Sequence, residues 1–572
     1  LGDPDCRRMG QSVRCARVRL DGALRSAPVL TTLIMVGPIT AGLLGTIGPA
    51  ISGSGFHDLL AWPGLGRATT LSVVTGTAST LISVAIVLLL FAALHGGRVF
   101  RFIARTISPL LGLPHASAAL GLAFLISPSG WIARLISPWA TGWTEPPDLL
   151  ILNDPAGIAL IIGLVIKEVP FLLLMVLAAL PQTNASLRLN LAASLGYGRV
   201  SRWFLAVLPA IWPQIRLPVW AVLAYSMTTV DMAMILGPTL PPTLAVQITH
   251  WMMQADPGYR SPAAAGALLQ LLLVGLALFG FRILEWIVAK VGSVISSTGH
   301  RAIGLDAASA LVSSILGVLV VCVAASGILG VALWSIAGPW QFPDAFPASI
   351  TFAPWARSAQ GLTEIGLTTL ALGGLSTGVA LILVVACLEA EFRFGLQPGR
   401  GTQLLIYLPL IVPQIAFIPG LQVLCFFVGA DGSLGTVAAA HLVFVLPYVF
   451  LSVGPPWRAW DRRVALAGFA LGATPERVLF RLRLPMLLRA ILTAAAVGFA
   501  VSVGQFLPTL LIGGGRVISL TTEAVALSSG GNRRIIGTYT ILQIILPMLG
   551  FLAAAKIPDL VFRNRSGLRV SR

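Results

Sequence analysis

Twelve stretches of predominantly apolar residues, each long enough to cross a bilayer, run through the 572-residue chain and constrain its fold more than anything else in it. A helix needs about 20 such residues to cross about 30 Å of hydrocarbon, and inside lipid only helices and closed barrels satisfy their own backbone. The stretches lie at 27–50, 69–94, 107–127, 156–180, 217–237 and 263–281, then at 310–333, 365–388, 404–428, 434–453, 490–512 and 535–555. Only 10% of the residues are charged and 56% are hydrophobic, whereas a soluble domain carries about 25% charge. A soluble enzyme and a disordered chain are both excluded on this ground. The expected fold is an all-α integral membrane protein with both termini on one side.

The net charge of +17 follows from 38 Lys and Arg against 21 Asp and Glu. On a soluble protein that excess would suggest nucleic acid. Here its distribution decides. With the N-terminus cytoplasmic, thirty basic residues fall in cytoplasmic segments and seven in the opposite loops, with Lys167 inside a span. That is a positive-inside pattern, and it accounts for the excess without nucleic acid. It predicts a bacterial inner (cytoplasmic) membrane protein with both termini cytoplasmic.

Lysine occurs only at Lys167, Lys290 and Lys556, none of them in a Gly-Lys-Ser/Thr context, so no phosphate-cradling P-loop is present. Any ATP that drives this protein is expected on another subunit, with no cofactor of the chain's own. The cysteines Cys6, Cys15, Cys322, Cys387 and Cys425 form no CxxC, and the six histidines are scattered, so neither a metal site nor a disulfide framework is expected. The basic segment before the first span has no cleavage site of the signal-peptide kind, and Met9 is a plausible initiator.

The chain repeats itself. Asn190-Leu191-Ala192-Ala193-Ser194-Leu195-Gly196 is followed thirteen residues later by Leu208-Pro209, and Leu466-Ala467-Gly468-Phe469-Ala470-Leu471-Gly472 by Leu484-Pro485 at the same spacing. Gly196 to Gly472 and Pro209 to Pro485 are both offsets of 276. Pro170-Phe171 matches Pro447-Tyr448 within one residue, and Leu236-Gly237 matches Ile512-Gly513. One unit has been duplicated and fused. The organisation expected is a basic N-terminus at 1–26 and two transmembrane units at 27–295 and 296–572, with the repeated loops at 188–210 and 464–486. In each loop a small-residue helix permits close approach by another protein, a glycine ends it, and a second amphipathic helix leads to the proline at re-entry. Such a bent knob suits a groove in a partner.

At these residues the chain resembles the permeases of binding-protein-dependent ABC importers, whose signature loop reads Glu-Ala-Ala-x-x-x-Gly and, after a spacer, Ile-x-Leu-Pro. Asn190 and Leu466 stand where the signature Glu would be, and Gly468 replaces the second Ala. The ion pair that a Glu there would make with an ATPase is therefore missing from both loops. Two fused units are similar to the ferric-iron and thiamine importer permeases, and Ile166-Lys167-Glu168-Val169-Pro170-Phe171 resembles the Ynj-type fused permeases associated with thiamine. The resemblance implies two tandem six-helix type I permease units enclosing a translocation pathway. It also implies a cytoplasmic ABC ATPase dimer beneath the loops and a periplasmic solute-binding protein above them. The chain itself would be a transport subunit and not an enzyme. The ATPase-coupling residues it implies are Asn190, Ala192, Ala193, Gly196, Leu208 and Pro209, with Ala467, Gly472, Leu484 and Pro485 in the second copy.

Within the spans, charges are costly and mark pathways or interhelical pairs. Lys167 and Glu168 are adjacent, so they point about 100° apart on a helix and each needs a further partner or water. Asp231 lies in the fifth span beside Met227, Met232 and Met234, and Gln505 in the corresponding helix of the second unit. These four polar residues are the expected lining of the pathway, the alternative being bonds between helices. An acidic, aromatic-lined route would suit a cation such as thiamine, with Trp251 a further contributor. Methionines more often fill helix interfaces than bind soft metals. A twelve-helix secondary carrier is the competing class, but it has no need of matched Gly and Pro loops. No paired nucleophile and base supports an intramembrane enzyme.

Overall fold

The computed structural model describes residues 4–51, 54–107, 110, 112–299, 304 and 306–563, with backbone alone at 4–21 and 400. The outermost parts of both basic termini, 1–3 and 564–572, lie outside the described residues. Twelve principal helices carry the fold. The first unit contributes α1 (Pro4–Ile51), α2 (Leu65–Leu94), α3 (His115–Ile126), α4 (Ile158–Ala179), α5 (Leu208–Thr228) and α6 (Arg260–Thr298). The second contributes α7 (Asp306–Ser335), α8 (Ala353–Phe394), α9 (Gln414–Phe427), α10 (Leu434–Arg458), α11 (Leu488–Val503) and α12 (Arg533–Val561). Among the described residues, ten helices are long and apolar enough to cross a membrane, or twelve if each of two bent pairs is counted as one span. The all-α membrane architecture in two six-helix units therefore holds.

Three expected spans are not straight. The stretch 404–428 turns through 81° between a helix ending at Ile411 and α9, where Val412 is extended ahead of Pro413. Proline at that point removes a backbone donor and disfavours helix in the residue before it. The stretches 217–237 and 490–512 both break before their ends. α5 stops at Thr228 and a short helix restarts at Asp231–Leu236, while α11 stops at Val503 and a short helix restarts at Leu507–Gly513. The break falls at the same place in both repeats. Beyond it, each unit adds another short helix, Leu244–Met253 or Leu520–Ser528. The first backbone N–H of each donates to a hydroxyl of the unit's second long helix, Leu244 to Ser72 and Leu520 to Thr369, both at 2.9 Å.

The units exchange their first helices. α1 packs mainly along α9 of the second unit, and α7 packs mainly along α3 of the first. Glycine makes both crossings close. A Cβ on Gly45 would sit 2.6 Å from the Gly420 carbonyl oxygen, and one on Gly121 would sit 3.1 Å from the Gly327 carbonyl carbon. Without a hydrophobic force between helices in lipid, small residues let backbones approach and gain dispersion contact. One shared apolar core, including Phe124, Leu236, Phe417 and Ile512, joins the halves.

Candidate functional site

Two regions stand out, the repeated signature loops and a cavity between the units into which a few polar side chains project. In the first loop a helix over Ala185–Ser194 ends at Gly196, whose φ of +80° is left-handed. In the second, a helix over Arg462–Ala470 ends at Gly472 with φ +78°. The closing bonds match residue for residue. Gly196 N–H donates to Ala193 at 2.9 Å and Tyr197 N–H to Ala192 at 3.2 Å, while Gly472 N–H donates to Phe469 at 2.9 Å and Ala473 N–H to Gly468 at 3.0 Å. This is the Schellman arrangement, which favours glycine because other residues pay for a positive φ. After each glycine come a four-residue helix and a π-turn, Trp203–Val207 or Leu479–Arg483, leading into Leu208-Pro209 or Leu484-Pro485.

Both loops end in an exposed apolar surface. Leu187, Leu191 and Leu195 are exposed on the first, and Leu466, Leu471 and Phe480 on the second. Asn190 and Ala193 are also exposed, as is Ala467 in the second loop, while Ala192 and Gly196 are partly covered. Exposed apolar groups gathered on a loop are the kind of surface that protein or membrane contacts cover.

The anchors beneath the loops differ. Under the second loop, Arg483 is 1% exposed and donates to Glu389 at 2.5 Å. Arg393 bridges Glu389 at 2.8 Å and Glu476 at 3.1 Å. The Arg483 guanidinium also lies 3.5 Å from the centroid of the Phe392 ring. At the position equivalent to Arg483, the first loop has buried Val207. There, Trp203 stacks on Phe91 at 6.1 Å. The carboxylate of Asp306, at the start of α7, accepts the N–H groups of Arg199 and Val200 at 2.6 and 3.1 Å. Arg199 also donates to the His95 carbonyl at 2.8 Å, and burial together with Arg199 holds the His95 imidazole below its ordinary range.

Between the units lies a cavity of about 300 Å³. Lys167, Glu168, Asp231 and Gln505 all line it. Its charged groups come from the first unit, while Tyr407, Gln414, Tyr448 and Gln505 of the second are neutral hydrogen-bonding groups. Lys167 Nζ donates to the Leu113 carbonyl at 2.5 Å, and Glu168 faces His115 Nε2 at 3.9 Å. Asp231 accepts from Thr229 at 3.0 Å and from the Tyr225 hydroxyl at 3.4 Å. The two helix breaks supply this geometry: Thr229 and Asp231 flank one, and Gln505 sits in the other, where it accepts from Gln414 at 3.3 Å. Trp251 does not line the cavity and instead packs edge-on against Trp62 at 5.2 Å.

Several lining residues escape the sequence reading. Tyr225, Tyr407, Tyr448, Gln414 and His115 have no mutual spacing to betray them. The Tyr407, Pro409, Pro413 and Gln414 cluster is the nearest thing to a signal, since prolines inside a span mark a bend where polar groups gather. Among the scattered histidines, His441 has a structural part that no local pattern announces. It is buried, and its Nδ1 and Nε2 lie 2.8 Å from the Ser502 and Thr509 hydroxyls. It thereby ties α10 across the break that presents Gln505.

No protein-family model matches the chain. It is 30% identical over 539 residues to the inner membrane ABC transporter permease protein YnjC of Escherichia coli K12, covering 94% of this chain and 96% of that one. It is 27% identical over 202 residues to the putrescine transport system permease protein PotI of the same organism, covering 34% of this chain and 71% of that one. A homolog of the spermidine/putrescine transport system permease protein PotC from Mycoplasma pneumoniae is 31% identical over 137 residues, 24% of this chain and 47% of that one.

Proposed function

The chain belongs to the ABC transporter permeases as a fused two-unit importer subunit, and on that premise we propose that its signature loops dock a separate cytoplasmic ATPase dimer while the cavity between its units passes the solute. The observation that carries this reading is the repetition of one bent knob, closed by matching hydrogen bonds at Gly196 and Gly472, at a single end of the bundle. The concentration of basic residues in the same segments supports placing that end, and both termini, in the cytoplasm. A periplasmic binding protein would then deliver solute to the opposite end.

In this scheme closure of the ATPase dimer pushes both knobs. The second moves α8 through Arg483 and Glu389, and the first moves α2 and α7 through Trp203 and Asp306. The exchanged helices α1 and α7 bind each unit to the other, so the two pushes act on one body. The cavity opens by displacement of the faces that carry Asp231 and Gln505, which both line it.

For the solute we propose a small molecule with a cationic group, thiamine or an amine of similar size. The carboxylates of Glu168 and Asp231 and the tyrosines around them support that choice. The test is uptake by proteoliposomes holding the chain, its ATPase and its binding protein, with radiolabelled thiamine and putrescine offered in turn. ATP-dependent accumulation of either, lost in Asp231→Asn, is the expected result. Accumulation driven by an ion gradient without ATP would overturn the reading in favour of a secondary carrier.

A further inference from the structure

On the outer face of the first unit, away from the polar cavity, lies an apolar cleft of about 400 Å³. Its walls are Val73 and Leu81 of α2, Leu223 of α5, and Leu276, Gly280 and Leu284 of α6. The hydroxyl that lines it, on Thr77, is turned back onto the Val73 carbonyl at 2.6 Å, so its proton is already bonded within the helix. A Cβ added at Gly280 would meet nothing within 4 Å, so the space beside that residue is open. Along α6 the cleft runs from Leu273 to Leu284, about 17 Å at 1.5 Å per residue. That length is close to half of the roughly 30 Å hydrocarbon layer.

Its depth can be read from its neighbours. Two residues past Leu284, Trp286 is exposed, with Lys290 Nζ 5.9 Å from its ring centroid. Exposed Trp and Lys together mark the membrane interface. At the same end Arg282 and Arg216 both pair with Glu285, at 2.7 and 2.9 Å, and Trp220 donates to Glu285 at 3.1 Å. The Glu285 side chain is 3% exposed, whereas those of Arg282 and Arg216 are 52% and 30% exposed. Two guanidiniums thus share one buried carboxylate, and one positive charge remains facing the headgroup layer.

We propose that this cleft is a binding site for an anionic phospholipid, with one acyl chain along Gly280 and the phosphate on Arg282 and Arg216. A leaflet-long apolar trough open to the bilayer takes a chain, and the uncompensated guanidinium at its interfacial end takes an anionic headgroup. The site is separate from the solute cavity and does not depend on which solute passes. The test uses the full chain purified in detergent and given equal amounts of phosphatidylglycerol and phosphatidylcholine with identical acyl chains. Native mass spectrometry then counts the lipid retained on each chain.

Retention of phosphatidylglycerol is expected to exceed that of phosphatidylcholine about fivefold, the worth of one basic group near the headgroups. Gly280→Leu, which fills the cleft, and Arg282→Gln, which removes the charge, should each erase that preference, and Arg282→Lys should keep it. Size-exclusion elution like that of the parent confirms that each variant is folded. Equal retention of the two lipids, or a preference untouched by Gly280→Leu, overturns the proposal. Capture of a helical protein instead of lipid by a photoreactive group at position 280 also overturns it.

Discussion

The two signature loops share one backbone and rest on different foundations. Both close on a left-handed glycine with the same pair of hydrogen bonds. Yet the second is held to α8 by buried charges, Arg483, Glu389, Arg393 and Glu476, while the first rests on Trp203, Val207 and the remote carboxylate of Asp306. After duplication, the turn of the loop stayed the same and the interior beneath it diverged. A turn geometry is fixed by one or two residues whose backbone preferences cannot be replaced. An anchor needs only to fill space and satisfy its polar groups, which apolar and ionic solutions both do.

The largest expected difference between the loops follows from their anchors. Glu389→Ala leaves Arg483 and Arg393 buried without their shared carboxylate, a loss of about 3–5 kcal/mol. Asp306→Ala removes only a cap on two backbone donors and should cost about 1 kcal/mol. Thermal unfolding of the purified chain should show a drop several times larger for the first. Similar drops would mean that the two anchors are equivalent after all. Removing both partners in Glu389→Leu with Arg483→Met should recover much of the stability, because Arg393 keeps Glu476 and the buried Arg483 charge is gone with its carboxylate.

An intermediate effect, equal in the two loops, is expected at the glycines. Nothing lies within 4 Å of a Cβ at Gly472, so the cost of Gly472→Ala is backbone strain, about 1–2 kcal/mol. Gly196→Ala should match it, and ATPase co-purification should fall by the same factor for both. Gly472→Arg adds bulk at the docking surface and should detach the ATPase while the chain still inserts. An unequal response would show that one loop alone carries coupling.

The smallest effect concerns the missing glutamates. Asn190 and Leu466 are both exposed, so Asn190→Glu or Leu466→Glu can add at most an exposed ion pair, worth up to about 1 kcal/mol. Stimulated ATP hydrolysis should change by less than about fivefold in either variant. A larger gain would mean that the parent loops are poorly coupled for want of that charge.

Much of this organisation was legible in the sequence because it is written locally. Apolar run length marks the spans, glycine and proline mark the loops, and a shared offset of 276 pairs them. The four intramembrane polar residues Lys167, Glu168, Asp231 and Gln505 were legible because such groups are expensive in lipid, and they line a single cavity. The rest is relational. Glu389 and Arg483 are 94 residues apart and Ser72 and Leu244 are 172 apart, and no local pattern announces such partners. The helix breaks after Thr228 and Val503 lie inside runs whose few polar residues, Thr228, Thr229 and Asp231 or Ser502 and Gln505, do not bring the mean hydropathy down far enough to end a span. The exchange of α1 and α7 is equally silent, since the glycines at the two crossings look like any others in a membrane span.

Docking of an ATPase by both loops is tested most directly by cross-linking. Single cysteines placed at Ala193 and at Ala467, in a full chain whose five native cysteines are replaced by serine, would be treated with a bifunctional maleimide in the complex purified with its ATPase. Both positions should join the chain to the ATPase subunit, and each cross-link should block ATP hydrolysis. Hydrolysis that proceeds with neither position cross-linked to the ATPase would contradict a coupling role for these loops.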